Sequence, residues 1–185
     1  MKKIAILASG NGTNAEAIIT HFESVPHAKV VLIGSNKETA YVLQRAKNHQ
    51  IQSFTFSKKE LENGSVKALL LVKNIDLLVL AGFMMKVPED MIQAFPKSIV
   101  NIHPALLPKF GGKGMYGMRV HEAVKAAGEK ETGITIHWVN EHYDEGEIIL
   151  QEKVALSETD TAEQIAEKVH QLEYKYYPKV IESLI

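Results

Sequence analysis

Short apolar runs alternate with longer amphipathic stretches along the first hundred residues. Five apolar runs predict strands, over residues 4–8, 30–34, 53–56, 76–80 and 99–102. Continuous apolar runs, rather than alternating ones, are typical of parallel strands buried on both faces. The intervening stretches predict helices, one with Ala17, Ile18 and Phe22 along one face and others over 39–47, 59–73 and 88–94. This β-α alternation predicts a mainly parallel, Rossmann-like sheet with helices on both faces.

The pattern changes after residue 103. Residues 109–119 contain four glycines, two methionines and a tyrosine, which fits either a mobile lid or a long surface connection. The remaining predicted elements are a helix over 120–127, strands over 133–139 and 147–156 joined by a polar loop over 140–146, and a helix from Asp160 or Thr161 to about residue 181. We therefore expect a three-layer αβα sandwich of the α/β class, with an antiparallel C-terminal part, in a single domain spanning residues 1–185.

Composition and charge narrow the class of protein. The net charge of −1 includes no basic stripe, so the sequence gives no electrostatic reason to expect nucleic-acid binding. The chain has no cysteine, which excludes disulfides, thiolate nucleophiles and cysteine metal sites. No apolar stretch is long enough for the core of a signal peptide or for a membrane span. We expect a cytoplasmic protein that does not bind membranes.

A glycine-rich turn, Gly10-Asn11-Gly12-Thr13-Asn14, follows the first predicted strand. Such a turn before a helix presents several backbone N–H groups and the positive helix end to one point, which favours an anion. The spacing also fits the dinucleotide fingerprint, but residues 34–37 supply no carboxylate for a nicotinamide ribose. We favour a single phosphate here; a nicotinamide-dependent oxidoreductase, a non-catalytic phosphate-binding module and a purely structural turn remain as alternatives.

Two polar residues, Asn101 and His103, stand at the end of the fifth predicted strand, directly before Pro104. Ligands of α/β sheets bind at the carboxyl ends of strands. An amide can donate a hydrogen bond to a developing oxyanion, and imidazole exchanges protons near neutral pH. The pair therefore predicts a catalytic site, although a histidine that only caps a loop would give the same pattern.

Four motifs, over residues 9–14, 80–84, 101–108 and 133–146, together resemble the glycinamide ribonucleotide formyltransferase family. The likeness covers nearly the whole chain, and the last two motifs are specific to folate-dependent formyl transferases and hydrolases. The resemblance implies the formyltransferase fold and transfer of a formyl group from the cosubstrate 10-formyltetrahydrofolate to glycinamide ribonucleotide, in purine biosynthesis. It further implies a monomer or homodimer with small-molecule substrates and no metal. A hydrolase that releases formate from the same folate is the alternative.

The resemblance also implies roles for individual residues. The catalytic residues are Asn101, His103 and Asp144, with Asp144 orienting His103. The phosphate contacts are Gly12, Thr13 and Asn14, and Glu173 contacts the sugar. The folate contacts are Met84, Met85, Lys86, Val87, Asn101, Asn140, Glu141, His142, Tyr143 and Asp144. The phosphate half thus spans about residues 1–100 and the folate and catalytic half about 101–185. His137 and the side chain of His142 are interpreted as structural or surface groups.

Overall fold

The computed structural model describes residues 1–185, with seven strands and seven helices. The strands are β1 (Lys2–Leu7), β2 (Ala28–Ser35), β3 (Gln52–Thr55), β4 (Leu77–Leu80), β5 (Ile99–His103), β6 (Glu131–Trp138) and β7 (Ile148–Ala155). The helices are α1 (Thr13–Phe22), α2 (Val42–Asn48), α3 (Lys58–Glu62), α4 (Ser65–Val72), α5 (Glu89–Ala94), α6 (Met118–Ala126) and α7 (Ala162–Ser183). All seven predicted strands are present.

The strands form one sheet in the order β3-β2-β1-β4-β5-β6-β7. Strands β1 to β5 pair in parallel, whereas β6 runs antiparallel to β5 and β7 antiparallel to β6. The expected fold class, a mainly parallel α/β sandwich with an antiparallel C-terminal part, is confirmed. The strand order changes direction between β1 and β4, and open α/β sheets bind their ligands at the carboxyl ends of strands beside such a point.

Two apolar cores lie on opposite faces of the sheet. One core joins Ile4 and Ile6 of β1 to buried residues of α1, α2 and α7. The other joins Ala5 and Leu7 of β1 to buried residues of α3, α4 and α5. Successive residues of a strand point to opposite faces, so a continuous apolar run needs a helical cover on both sides. The three layers therefore follow from the apolar runs in the sequence.

The prediction of a single helix over 59–73 was wrong, because the segment forms two helices, α3 and α4, separated by a break at Gly64. Gly64 has a φ of +85°, a left-handed conformation that glycine adopts without a Cβ clash. The side chain of Asn63 accepts a hydrogen bond from the Ser65 N–H at 3.0 Å, which starts the second helix. The helical spacing of apolar residues continues across the break, so periodicity alone did not reveal it.

The start of α2 differs from the prediction, whereas α7 begins at one of its two predicted positions. The helix predicted over 39–47 begins later, at Val42, because the Ala40 N–H closes a turn onto the Lys37 carbonyl instead. Helix α7 begins after Thr161, which is one of its two predicted starting residues. The Thr161 side chain forms a capping box with Gln164. Neither α7 nor any other helix is long and apolar enough to cross a membrane.

Candidate active site

A cavity of about 450 Å³ opens at the carboxyl ends of β4 and β5. Its walls come from the segment after β4, the end of β5, the glycine-rich loop before α6 and the loop between β6 and β7. The predicted residues among its walls are Met84, Met85, Lys86, Val87, Asn101, His103, Asn140, His142, Tyr143 and Asp144. Glu141 is exposed and lies outside the lining. One cavity thus contains all three predicted catalytic residues.

Asn101 is held by a histidine on the neighbouring strand. It lies directly opposite His137 in the antiparallel pairing of β5 and β6, and its Nδ2 is 3.1 Å from His137 Nε2. His137 Nδ1 donates to the Trp138 carbonyl at 2.9 Å. Burial lowers the pKa of His137, so the ring is neutral and its Nε2 accepts a proton from the Asn101 amide. The second N–H of that amide has no partner in the protein and is free for a ligand.

His103 is the last residue of β5, and its side chain is almost completely buried. Its Nε2 donates a hydrogen bond to the Phe110 carbonyl at 2.7 Å. Because that nitrogen is occupied, Nδ1 is the nitrogen available to a ligand and to Asp144. The Phe110 contact also fixes the orientation of the ring.

Asp144 lies between the two histidines and the glycine-rich loop. One carboxylate oxygen is 3.6 Å from His103 Nδ1, and the other is 3.7 Å from His137 Nε2. Only the first distance suits an ion pair, with a charged His103 ring, because neutral His137 presents a lone pair at Nε2; both distances exceed those of good hydrogen bonds. The Gly112 N–H donates to the same oxygen that faces His103, at 2.9 Å. Asp144 therefore keeps acceptor capacity for a substrate proton, and no group of three His, Asp or Glu side chains here is placed to hold a metal ion.

The chain between β5 and α6 forms one side of the cavity and is anchored below it. Thr135 Oγ1 donates to the Ala105 carbonyl at 2.7 Å and accepts from the Leu107 N–H at 3.0 Å. Beyond this anchor, residues 112–117 line the cavity, with the Tyr116 side chain partly exposed at its mouth. The 109–119 segment therefore borders the cavity and is more than a surface connection, and its movement as a lid stays a prediction.

The predicted phosphate turn lies beside this cavity, at the end of β1. Gly12 is the residue before α1 and has a φ of +75°, and a Cβ there would come within 2.5 Å of the Val42 side chain. Thr13 and Asn14 form the first turn of α1, where backbone N–H groups lack helical partners. Ser9 connects the turn to the segment after β4, because its hydroxyl accepts a hydrogen bond from the Met84 N–H at 3.0 Å.

Glu173, from the middle of α7, meets the phosphate turn across a long distance in sequence. Its carboxylate accepts a hydrogen bond from Asn14 Nδ2 at 2.9 Å, and both side chains are buried. Burial raises the pKa of Glu173 to about 7, and the Asn14 hydrogen bond only partly offsets that effect. Asn14 Oδ1 is buried with no partner. The predicted phosphate and sugar contacts therefore adjoin one another and leave one acceptor unpaired.

Sequence reasoning missed two parts of the site. His137 was interpreted as a structural or surface group, yet it is buried, lines the cavity and holds Asn101. The signal was present in the two-residue spacing of polar side chains on β5 and β6, but the register between those strands was not known. The Phe110 carbonyl leaves no trace in the sequence. His142, which was predicted as a folate contact, lines the cavity although most of its side chain is exposed.

Comparisons with known proteins agree with this geometry. A model of the family described as formyl transferase matches residues 2–181. The chain is 39% identical over 191 residues to a phosphoribosylglycinamide formyltransferase of Bacillus subtilis (strain 168), covering 100% of this chain and 95% of that one. It is 41% identical to a chloroplastic protein of the same name from Vigna unguiculata, covering 99% of this chain but only 61% of that relative's length.

The fold comparison gives the same answer. A crystal structure of phosphoribosylglycinamide formyltransferase from Bacillus halodurans superposes with a TM-score of 0.90 at 39% identity, covering 99% of this chain and 95% of that one. Sequence and structure therefore match over nearly the entire length of the chain. The chain belongs to the formyl transferase family.

Proposed function

We propose that the protein transfers the formyl group of 10-formyltetrahydrofolate to the primary amine of glycinamide ribonucleotide, giving formylglycinamide ribonucleotide in purine biosynthesis. The observation that carries the proposal is the convergence of Asn101, His103 and Asp144 in one cavity. The choice of glycinamide ribonucleotide as the acceptor rests on relatives named phosphoribosylglycinamide formyltransferase that match nearly the whole chain. The folate is a cosubstrate, and the reaction needs no metal.

The first step is attack of the amine on the formyl carbon, which gives a tetrahedral oxyanion. The free N–H of Asn101 is suited to that oxygen, because its other N–H is held by His137 and the amide cannot turn away. A preorganised donor of this kind is typically worth ~3 kcal/mol in the transition state. The amide therefore stabilises charge that develops only as the reaction proceeds.

Collapse of the intermediate requires two proton movements. The bond from the formyl carbon to the folate nitrogen breaks, the former amine loses a proton and the leaving nitrogen gains one. His103 in its charged form supports the oxyanion and supplies the proton from Nδ1, since Nε2 is bonded to the Phe110 carbonyl. Asp144, 3.6 Å from that nitrogen, orients the ring and accepts the amine proton directly or through one water.

The ribonucleotide occupies the region at the end of β1. Gly12, Thr13 and Asn14 receive the phosphate at the α1 N-terminus, where N–H groups and the helix dipole favour an anion. Glu173 lies against Asn14 and is placed for the sugar hydroxyls. A sugar hydroxyl that donates to the unpaired Asn14 Oδ1 would satisfy the one buried acceptor that this region leaves open.

The folate occupies the 450 Å³ cavity. The segment Met84–Val87 and the loop from Asn140 to Asp144 both line it, and their backbone groups are suited to hydrogen bonds with the edges of a flat pterin ring. The phosphate half and the folate half thereby meet at the ends of β1 and β4 within one domain. Cytoplasmic localisation and a monomeric or homodimeric state are predictions that accompany this proposal.

The alternative, a hydrolase that releases formate from the same folate, is not favoured. The curated relatives that match nearly the full chain are named as formyltransferases. The turn and Glu173 also provide a second, phosphate-suited region that a hydrolase would not need. Ribonucleotide dependence of turnover therefore separates the two activities.

Two substitutions test the catalytic assignment. We expect His103→Ala and Asp144→Ala each to lower kcat by about a thousandfold, because each removes a group that handles a proton in the reaction. His27→Ala, which changes an exposed histidine far from the cavity, is the matched control and should leave kcat unchanged. Circular dichroism checks that the variants remain folded. A folded variant with near-normal turnover would refute the role given to that residue.

A further inference from the structure

The phosphate turn carries backbone donors that the protein itself does not use. The N–H groups of Gly10, Asn11 and Gly12 lie outside the helices and strands and donate no hydrogen bond to any protein group. Unpaired N–H groups in succession form a concave site for an anion, provided that they point to the same side. The direction of these N–H groups therefore decides whether they form such a site.

Helix α2 holds the carbonyl groups of two of these peptides, those that carry the N–H groups of Asn11 and Gly12. The Gly10 carbonyl accepts from the Val42 N–H at 3.2 Å. The Asn11 carbonyl accepts from Arg45 Nε at 2.9 Å. In a planar trans peptide the C=O and the following N–H point in opposite directions. The N–H groups of Asn11 and Gly12 are therefore turned away from α2, towards the open side of the turn.

Arg45 binds the turn through two of its nitrogen atoms, Nε and Nη2. Its Nη2 donates to the Asn11 side-chain oxygen at 2.7 Å, so one guanidinium holds both oxygens of this residue. Nη1 donates to Glu16 of α1 at 3.0 Å, and the guanidinium carbon lies 5.0 Å from the centre of the Tyr41 ring. Stacking and three directed hydrogen bonds leave the group little freedom. A lysine has no planar fork and cannot reproduce this arrangement.

We propose that Arg45 is a positioning residue for the phosphate site: by holding the Asn11 carbonyl it orients the N–H of Gly12, and it thereby sets the affinity for the phosphorylated substrate. This rests on the proposed function, which assigns the phosphate to the turn. Arg45 itself faces the outer side of the turn and touches none of the reacting atoms. Its loss should weaken binding of the phosphate-bearing substrate without slowing formyl transfer once both substrates are bound.

A purely structural role for Arg45 predicts a different result. Arg45 and His49 both bind Glu16, and His49 also contacts Glu23, so the cluster joins α1 to α2. If stability were its only function, substitutions anywhere in the cluster would lower stability and leave phosphate affinity alone. Glu23→Gln removes a charge from this cluster without touching Asn11 and is the matched control.

The test measures ribose 5-phosphate binding by calorimetry in the whole protein, and in parallel kcat and both KM values for formyl transfer. We expect Arg45→Met and Arg45→Lys to weaken ribose 5-phosphate binding by about tenfold and to raise the KM for glycinamide ribonucleotide similarly, through loss of charge-assisted hydrogen bonds that orient the turn. The folate KM and kcat should stay within about twofold. Glu23→Gln should bind ribose 5-phosphate like the unmodified protein.

Unchanged ribose 5-phosphate affinity in both Arg45 variants would overturn the inference, as would an equal loss in Glu23→Gln. Absence of any ribose 5-phosphate binding by the unmodified protein would overturn both the inference and the phosphate assignment. Arg45-dependent binding in a protein that does not formylate glycinamide ribonucleotide would support the inference and reject the proposed function.

Discussion

At the scale of single residues, the protonation of the buried His137 decides which way the Asn101 amide faces. The Nδ1–H of His137 is bonded to the Trp138 carbonyl, so a neutral ring offers only an acceptor to Asn101. A charged His137 would present a donor to the Asn101 amide and force it to turn its oxygen inward. Burial lowers the pKa of His137 and so keeps the productive amide orientation at neutral pH.

We predict that His137→Phe lowers kcat by about ten- to a hundredfold, because the Asn101 donor is no longer held in place. Asn101→Ala should lower kcat by about a hundredfold or more, as for loss of an oxyanion donor. The double variant should be no slower than Asn101→Ala alone, since His137 acts through Asn101. Losses in kcat that multiply in the double variant would show that His137 acts independently.

The buried carboxyl of Glu173 makes the stability of the protein depend on pH. Its folded pKa of about 7 lies above the ordinary value of 4.5, because its charged form is buried. The folded state therefore binds this proton more tightly than the unfolded state does. The stability that the neutral carboxyl contributes is fully present below about pH 4.5 and is lost as the pH rises through 7.

Glu173→Gln should therefore stabilise the protein at pH 8 by up to about 3 kcal/mol. The amide oxygen of glutamine still accepts from Asn14 Nδ2, so the packing is preserved. At pH 4.5 the difference in unfolding free energy should nearly vanish, because the native carboxyl is then neutral as well. Urea denaturation of both proteins at the two pH values measures this. An equal stability difference at both pH values would contradict the assigned burial of charge.

At the scale of elements, the apolar runs predicted every strand, but register and breaks lay beyond them. The run over 76–80 and the polar pair at Asn101 and His103 located the edge of the sheet where the site forms. The pairing of Asn101 with His137 depends on how β6 aligns with β5, which tertiary packing decides. The break between α3 and α4 depends on Gly64 adopting a left-handed conformation within an unbroken apolar period.

Helix α7 reaches the catalytic edge of the sheet through Tyr177. This side chain is completely buried, and its hydroxyl lies 2.9 Å from the Leu80 carbonyl and 3.1 Å from the Val100 carbonyl. Tyr177→Phe should lower the free energy of unfolding by about 1–2 kcal/mol, because the carbonyls lose their donor without regaining water. Tyr176→Phe, one residue away and only half-buried, should change it by less than about 0.5 kcal/mol. Equal effects in urea denaturation would contradict the role of the buried hydroxyl.

At the scale of the whole molecule, two candidate ligand regions meet at the point where the strand order changes direction. In the proposed function, the turn after β1 binds the ribonucleotide and the cavity after β4 and β5 binds the folate. Ser9 bonds one region to the other through the Met84 N–H, and Glu173 closes the first region from α7. Sequence motifs located both regions, whereas their contact depends on long-range packing that no local pattern contains.

The most direct test of the account is turnover of 10-formyltetrahydrofolate followed by absorbance, with and without glycinamide ribonucleotide. We predict that the folate is consumed only when the ribonucleotide is present, and that the formyl group is recovered on the amine of the ribonucleotide. Formate release at the same rate without the ribonucleotide would contradict it. In that case the cavity would be hydrolytic, and the assignment of the phosphate turn to this substrate would have to be withdrawn.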